Sequence, residues 1–162
     1  MKYSWQPAVG ADIADISAMT WMSINQVDMI YTMNQAAFNK NITHAIVNQM
    51  YNPASELVSV ARNTAGQLLA YTWAKTGERS CWSTDDVVSV CMALVDPALP
   101  MRLRIRLVTD EIMIWEQFAK YAGVSIICST TMRKDQSAFL RLHEQLGYDV
   151  RGSFAYKRVS AT

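Results

Sequence analysis

Metal and disulfide ligands are scarce in this sequence. Its 162 residues include two histidines, His44 and His143, and three cysteines, Cys81, Cys91 and Cys128. No two cysteines share a metal-ligand spacing, and their odd number fits no closed disulfide framework. A zinc site is therefore not expected, and Cys91 and Cys128, each inside an apolar run, read as small hydrophobes. Charge of one sign is missing too. The formal net charge is +1, which gives no overall pull toward nucleic acid or an anionic membrane, so any anion site has to be local. The longest apolar runs, such as Val124–Cys128, fall far short of the roughly 20 residues that cross a bilayer. Met1-Lys2-Tyr3-Ser4-Trp5 is not followed by an apolar signal core, so a cytoplasmic location is the expectation. Glycine is absent between Gly77 and Gly123, which excludes a glycine-rich phosphate loop from that stretch.

What is present is apolar and evenly patterned: 51% hydrophobic and 18% charged residues, enough for one sizeable core. No repeat, linker or low-complexity tract interrupts the chain, and a single domain over 1–162 is the simplest organisation. Tyr3–Val9 alternates like a strand. Ile13, Ile16, Ala18 and Met19 recur at helical spacing, as do Phe38, Ile42, Ala45, Ile46 and Met50, until Asn52-Pro53 stops the pattern. Glu56–Arg62 and Gln67–Lys75 read as a hairpin about the turn Asn63-Thr64-Ala65-Gly66. Asp86–Val95 is a valine-rich strand ending at Asp96-Pro97. Ile105, Val108, Ile112, Trp115, Ala119 and Ala122 form the stripe of a long helix over Met101–Ala122, stopped by Gly123. Val124–Ser129 is expected to be a buried strand, Asp135–Leu146 a helix closed by Gly147, and Ser153–Val159 a last strand. Trp5, Trp73, Trp82 and Trp115 are assigned to the core and its edges. The order β-α-α-β-β-β-α-β-α-β predicts an α/β fold, a mixed central sheet with helices on both faces.

Two local features resemble the GNAT N-acetyltransferase superfamily, and with the element order the resemblance covers nearly the whole chain. Leu94-Val95-Asp96-Pro97 before a long helix is similar to the family's central strand and cofactor-binding helix. Asp135-Gln136 followed by Leu142-His143-Glu144-Gln145-Leu146-Gly147-Tyr148 is similar to its closing helix, with Gln136 at the position of the usual Asn and His143 at that of the usual Tyr. The resemblance implies acetyl-CoA as cofactor and transfer of its acetyl group to the amine of a small molecule or protein. The sequence departs from the family at the pyrophosphate loop. The best frame sets Arg104 at the first position of the loop pattern, with Leu107 and Thr109 where glycines usually stand. Arg102, Arg104 and Arg106 would then hold phosphates by side chain, or else form a solvated basic helix start. Leu94 and Val95, with the backbone amides of Met92–Val95, would receive the pantetheine arm.

For chemistry, the resemblance makes His143 the expected general acid, while Asp86, with Asp85 and Glu56, would serve as base through a water. The aromatic and methionine-rich segment 17–39 would line the acceptor cleft or dock a partner, a second copy included. The alternative implied by the missing glycines is a catalytically inactive GNAT-like subunit that has lost acetyl-CoA, for example a bacteriophage virion component. The two readings part on whether acetyl-CoA binds.

Overall fold

The computed structural model describes residues 2–23, 32–79, 81–131 and 136–152. Strand β1 (Tyr3–Pro7) is followed by one turn of 3-10 helix and by α1 (Ile13–Ser23) and α2 (Gln35–Tyr51). Then come β2 (Glu56–Asn63), β3 (Leu68–Arg79), β4 (Asp86–Val95), α3 (Met101–Ala122), β5 (Ile126–Cys128) and α4 (Ser137–Gln145). The strands form one sheet in the order β1-β2-β3-β4-β5, antiparallel except for the parallel pair β4–β5. That parallel pair needs a crossover, and α3 supplies it. The expected α/β order is thus observed through α4; the predicted strand 153–159 lies outside the described residues.

Local chemistry explains the boundaries. At the β2–β3 turn, Asn63 Oδ1 accepts from the amides of Ala65 and Gln67, both at 3.0 Å, and Gly66 takes the positive φ of 82°. Asn34 caps α2 by accepting from Ala37 N at 3.0 Å. Gly123 ends α3 in the left-handed conformation at φ 71°. Arg62 ties β2 to the start of α1, with Nη2 2.6 Å from Asp12 and 2.8 Å from Asp15.

The sheet separates two apolar layers. On one face Ile16 and Met19 of α1 and Ile42, Ala45 and Ile46 of α2 pack on Val58, Val60, Tyr71, Met92 and Leu94. On the other, α3 lays Leu107, Ile112, Trp115, Phe118 and Ala119 over Leu57, Ala61, Ala70, Ala74 and Val88, joined by Leu142 and Leu146 of the α4 segment. A register shift at Ala61/Arg62 lets consecutive residues Leu69 and Ala70 both face α3.

Several expectations need correction. β1 ends at Pro7 rather than Val9, and β3 runs on to Arg79. Met50 and Ile105, placed on buried stripes by spacing, are exposed, as is Trp82. β5 is not buried: Ile126 and Cys128 are exposed and only Ile127 turns into the core. On α3 the buried stripe instead includes Leu107, Phe118 and a glutamate, Glu111, whose carboxyl oxygens have no hydrogen-bond partner among the described residues. No helix among the described residues is long and apolar enough to cross a membrane.

Candidate active site

The centre of the sheet carries a defect. Trp73 pairs with Met92 and Ala74 with Val90, so Cys91 has no partner on β3. This bulge reverses the strand's facing. Val88 and Val90 before it pack with the α3 layer, whereas Met92 and Leu94 after it pack with α1 and α2. Thr72 fixes the bulge by donating to Met92 O at 3.0 Å, and Trp115 Nε1 of α3 donates to Thr72 Oγ1 at 2.7 Å. Pairing of β4 with β5 runs from Val87/Ile126 to Ser89/Cys128 and stops there. Beyond it β5 no longer accompanies Val90–Val95, and Leu94 and Val95 pair only with Tyr71 and Ala70 of β3 among the described residues. A cleft thus opens between the two strands at the bulge.

On the α1/α2 face of this opening lies a cavity of about 400 Å³ lined by Lys75, Glu78, Ser89, Cys91, Cys128 and Thr130. A second irregularity in β3, between Lys75 and Glu78 and including Gly77 at φ 88°, folds Glu78 back so that it meets Lys75 Nζ at 2.9 Å. Ser89 Oγ donates to the same carboxylate at 2.6 Å. The Ser89 and Lys75 hydrogen bonds hold the Glu78 carboxyl below the usual carboxylate range. Burial pushes the Cys91 thiol up to about 11, so it is no thiolate nucleophile at neutral pH. None of the Lys75, Glu78 and Ser89 cluster was singled out from the sequence, because the strand irregularity that gathers it has no composition signal beyond Gly77.

On the opposite face, His143 is 3% exposed. Its ring packs 4.2 Å from Phe139 and edge-on to Tyr148 at 5.0 Å, between ring centroids. Nδ1 lies 2.9 Å from Phe139 O, and Nε2 lies 3.1 Å from Ser129 Oγ. A carbonyl oxygen only accepts, so Nδ1 bears the proton and Nε2 receives the Ser129 O–H. Burial lowers the His143 pKa against the opposing pull of the Phe139 carbonyl, which keeps the ring neutral at physiological pH. In this tautomer the resting ring accepts a proton at Nε2. Tyr148 Oη is buried without a hydrogen-bond partner among the described residues. Burial, with Glu116 nearby, raises that phenol to about 12.

The other sequence candidates scatter. Helix α3 begins at Met101, so Arg102, Arg104, Arg106, Leu107 and Thr109 all stand on helix and none on a loop. Leu107 is fully buried against Ala61, Leu69 and Ala70, and Thr109 Oγ1 donates to Ile105 O at 2.9 Å. Their amides belong to the helix ladder and are closed to a phosphate. The positions that the sequence frame set at the glycines thus lie within α3. Arg106 leaves the cleft, with its guanidinium 5.2 Å from the Tyr3 ring centroid. Arg102 is exposed at the helix start. Arg104 differs: it sits one turn before Val108 and two before Ile112 on the stripe packed toward β4 and α4, and its Nε is buried without a partner among the described residues. Asp86 lies at the far end of β4, three residues from Ser89, where Arg79 Nε binds it at 2.9 Å. The ion pair and the roughly 10 Å of strand between them separate Asp86 from the cleft. Gln136 takes the N-cap position of α4 with no side-chain cap bond. Of segment 17–39, residues 24–31 lie outside the described ones.

This architecture is shared with solved structures over essentially the whole chain. An aminoglycoside 6'-N-acetyltransferase of Acinetobacter baumannii superposes with a TM-score of 0.71 at 16% identity, covering 99% of this chain and 100% of that one. The chain has the GNAT fold. A predicted acetyltransferase of Clostridium acetobutylicum, solved with acetyl-CoA, gives 0.70 at 11% identity over 97% of this chain and 96% of its own. The glucosamine-6-phosphate N-acetyltransferase of Arabidopsis thaliana gives 0.64 at 10% identity, over 99% and 100%. No protein-family model matches the sequence, and no curated protein matches it either. Within this fold the Cys91 bulge and the parting of β4 from β5 are the features around which the candidate residues gather.

Proposed function

We propose that the protein is an N-acetyltransferase that moves the acetyl group of acetyl-CoA to the amine of a small molecule. The observation that carries this reading is the opening between β4 and β5 at the Cys91 bulge, with His143 buried on one face and a cavity bearing Lys75, Glu78 and Ser89 on the other. Solved neighbours of the same fold were captured with acetyl-CoA or with a bisubstrate analogue of CoA and acetylneamine. Others are named for transfer to aminoglycosides and to glucosamine 6-phosphate.

The residues fit the cofactor in this order. The strand edge of Val90–Val95, free of β5, accepts an extended amide-bearing arm in place of the missing strand. At the start of α3, the amides of Leu103 and Arg104 already bond Pro100 O. Those of Met101 and Arg102 remain as helix N-terminal donors. Arg104, with its orphaned Nε, supplies the cation that the absent glycines leave to a side chain. Bound there, acetyl-CoA supplies the activated acyl group, and the chain has only to bring up a neutral amine and manage one proton. The Glu78 carboxylate and the Ser89 hydroxyl suit a polar amine acceptor.

Calorimetric titration with acetyl-CoA tests the reading. Micromolar binding that weakens in Arg104→Ala supports it and justifies an amine screen. A folded sample giving no heat up to millimolar acetyl-CoA overturns it.

A further inference from the structure

Ser129 directly follows β5, between two residues that line the cavity, Cys128 and Thr130. Alternation along the strand turns it to the other side: Ile127 faces the α3 layer, and Ser129 reaches His143 there. His143 itself is shut in by Phe139, Trp115 and Tyr148. Its Nδ1 is committed to the Phe139 carbonyl and its Nε2 to Ser129. Ser129, half-buried and flanked in sequence by the cavity-lining Cys128 and Thr130, is the hydroxyl in contact with the Nε2 of this shut-in imidazole. The arrangement is a hydroxyl backed by a base, and the base is held in one tautomer by a carbonyl.

We propose that Ser129 is the proton relay of the acetyl transfer, connecting the cleft to His143. The proposal rests on the acetyltransferase reading above. As the N–C bond forms, Ser129 Oγ takes the proton that the acceptor nitrogen loses, and its own proton passes to His143 Nε2. As the C–S bond breaks, Nε2 returns that proton to Ser129, which delivers one to the sulfur. One proton has moved from nitrogen to sulfur, and both side chains end as they began. No charge builds on the serine oxygen, because each transfer into it accompanies one out of it. A buried imidazole of lowered basicity suits the task, since it has to release the proton within the same turnover. His143 thus acts through Ser129 as base and then as acid, which a directly placed general acid does not do.

The test has two arms. Nitrogen-15 NMR of the imidazole in the ligand-free protein is expected to show Nδ1 protonated and Nε2 bare, with the Nε2 resonance moving in Ser129→Ala and staying near its wild-type position in Ser129→Thr. An Nε2-protonated ring, or an Nε2 resonance indifferent to Ser129→Ala, overturns the relay. The second arm measures acetyl-CoA affinity and release of free thiol, with water, glucosamine and neamine offered as acceptors. Ser129→Ala is expected to lower turnover about 100-fold or more with acetyl-CoA affinity held. Ser129→Thr should recover most of that rate, and adding His143→Ala to Ser129→Ala should cost little more. Acetyl-CoA binding with Ser129→Ala turning over like wild type overturns the relay alone. An acetylated Ser129 found by mass spectrometry replaces it with a covalent route. Failure of wild type to bind acetyl-CoA overturns the acetyltransferase reading, and the relay with it.

Discussion

Arg106 lays its guanidinium over the ring of Tyr3, 5.2 Å from the centroid, and so joins the middle of α3 to the edge strand β1. Asp110, one turn on, completes the joint by accepting from Tyr3 Oη at 2.6 Å and Trp5 Nε1 at 3.2 Å. Burial first, and then Asp110, raise the Tyr3 phenol to about 12. Arg106 and Arg104, two residues apart on one helix, therefore face different neighbours. Arg106→Ala is expected to leave acetyl-CoA affinity within about twofold and to cost roughly 0.5–1 kcal/mol of stability. Arg104→Ala is expected to weaken acetyl-CoA about 10-fold or more, as loss of a charge-assisted contact does. Paired calorimetry and urea titration of the two variants check this, and equal losses of affinity would refute the assignment.

Thr72 is the next point of leverage, because one hydroxyl serves two layers. It accepts from Trp115 Nε1 and donates to Met92 O next to the bulge, and both Thr72 and Trp115 are fully buried. Thr72→Val keeps the shape and deletes both bonds, leaving an indole N–H buried and unpaired. The expected cost is about 1–3 kcal/mol, read as a lower urea midpoint with an unchanged slope. Acetyl-CoA affinity should fall in the same variant, since the bulge that parts β4 from β5 loses its anchor. Thr72→Ser, which keeps the hydroxyl, should lie close to wild type on both counts.

Asp86 gives a contrasting prediction. Its carboxylate is exposed and paired with Arg79 at the hairpin end, away from Ser89 and Cys91. Asp86→Asn is expected to leave thiol release from acetyl-CoA unchanged and stability within about 1 kcal/mol, the usual worth of an exposed pair. A rate loss of 10-fold or more would return Asp86 to the mechanism.

These residues also show what could be read before the structure. Periodicity carried the element order, since each helix has an apolar stripe and each strand an apolar face with turn chemistry between them. His143 was legible because Leu142-His143-Glu144-Gln145-Leu146-Gly147-Tyr148 is a contiguous motif. Its proton state was not, because that follows from Phe139 O and Ser129 Oγ, and Ser129 is 14 residues distant. The surroundings of Arg104, Leu107 and Thr109 were less legible for a related reason: with no glycine pattern to count from, the frame falls inside a helix that starts at Met101. The Cys91 bulge, which organises the cleft, leaves no trace in sequence beyond a cysteine in a valine-rich strand. Register is a property of pairs, and a single strand does not state it.

Glu111 is the least economical residue in the core. It is fully buried on α3, and neither carboxyl oxygen has a hydrogen-bond partner among the described residues. Burial, with Asp110 beside it, raises its pKa well above the ordinary carboxylate value of about 4.5. The folded chain thus keeps a proton that the unfolded chain releases as pH rises past that value. Between the unfolded and folded pKa, stability falls with rising pH by about 1.4 kcal/mol per pH unit from this group. His143 works in the opposite sense. Its lowered pKa means that the unfolded chain binds the extra proton, so stability is lost as pH falls below about 6.5. Comparing Glu111→Gln with wild type cancels the His143 contribution and isolates Glu111. The variant should match wild type near pH 4, gain on it steadily as pH rises, and level off above the folded pKa of Glu111. Urea midpoints from pH 4 to 9 measure the difference. A constant gap across that range would mean that Glu111 is ionised in the fold, and would require a cation beside it that the described residues do not supply.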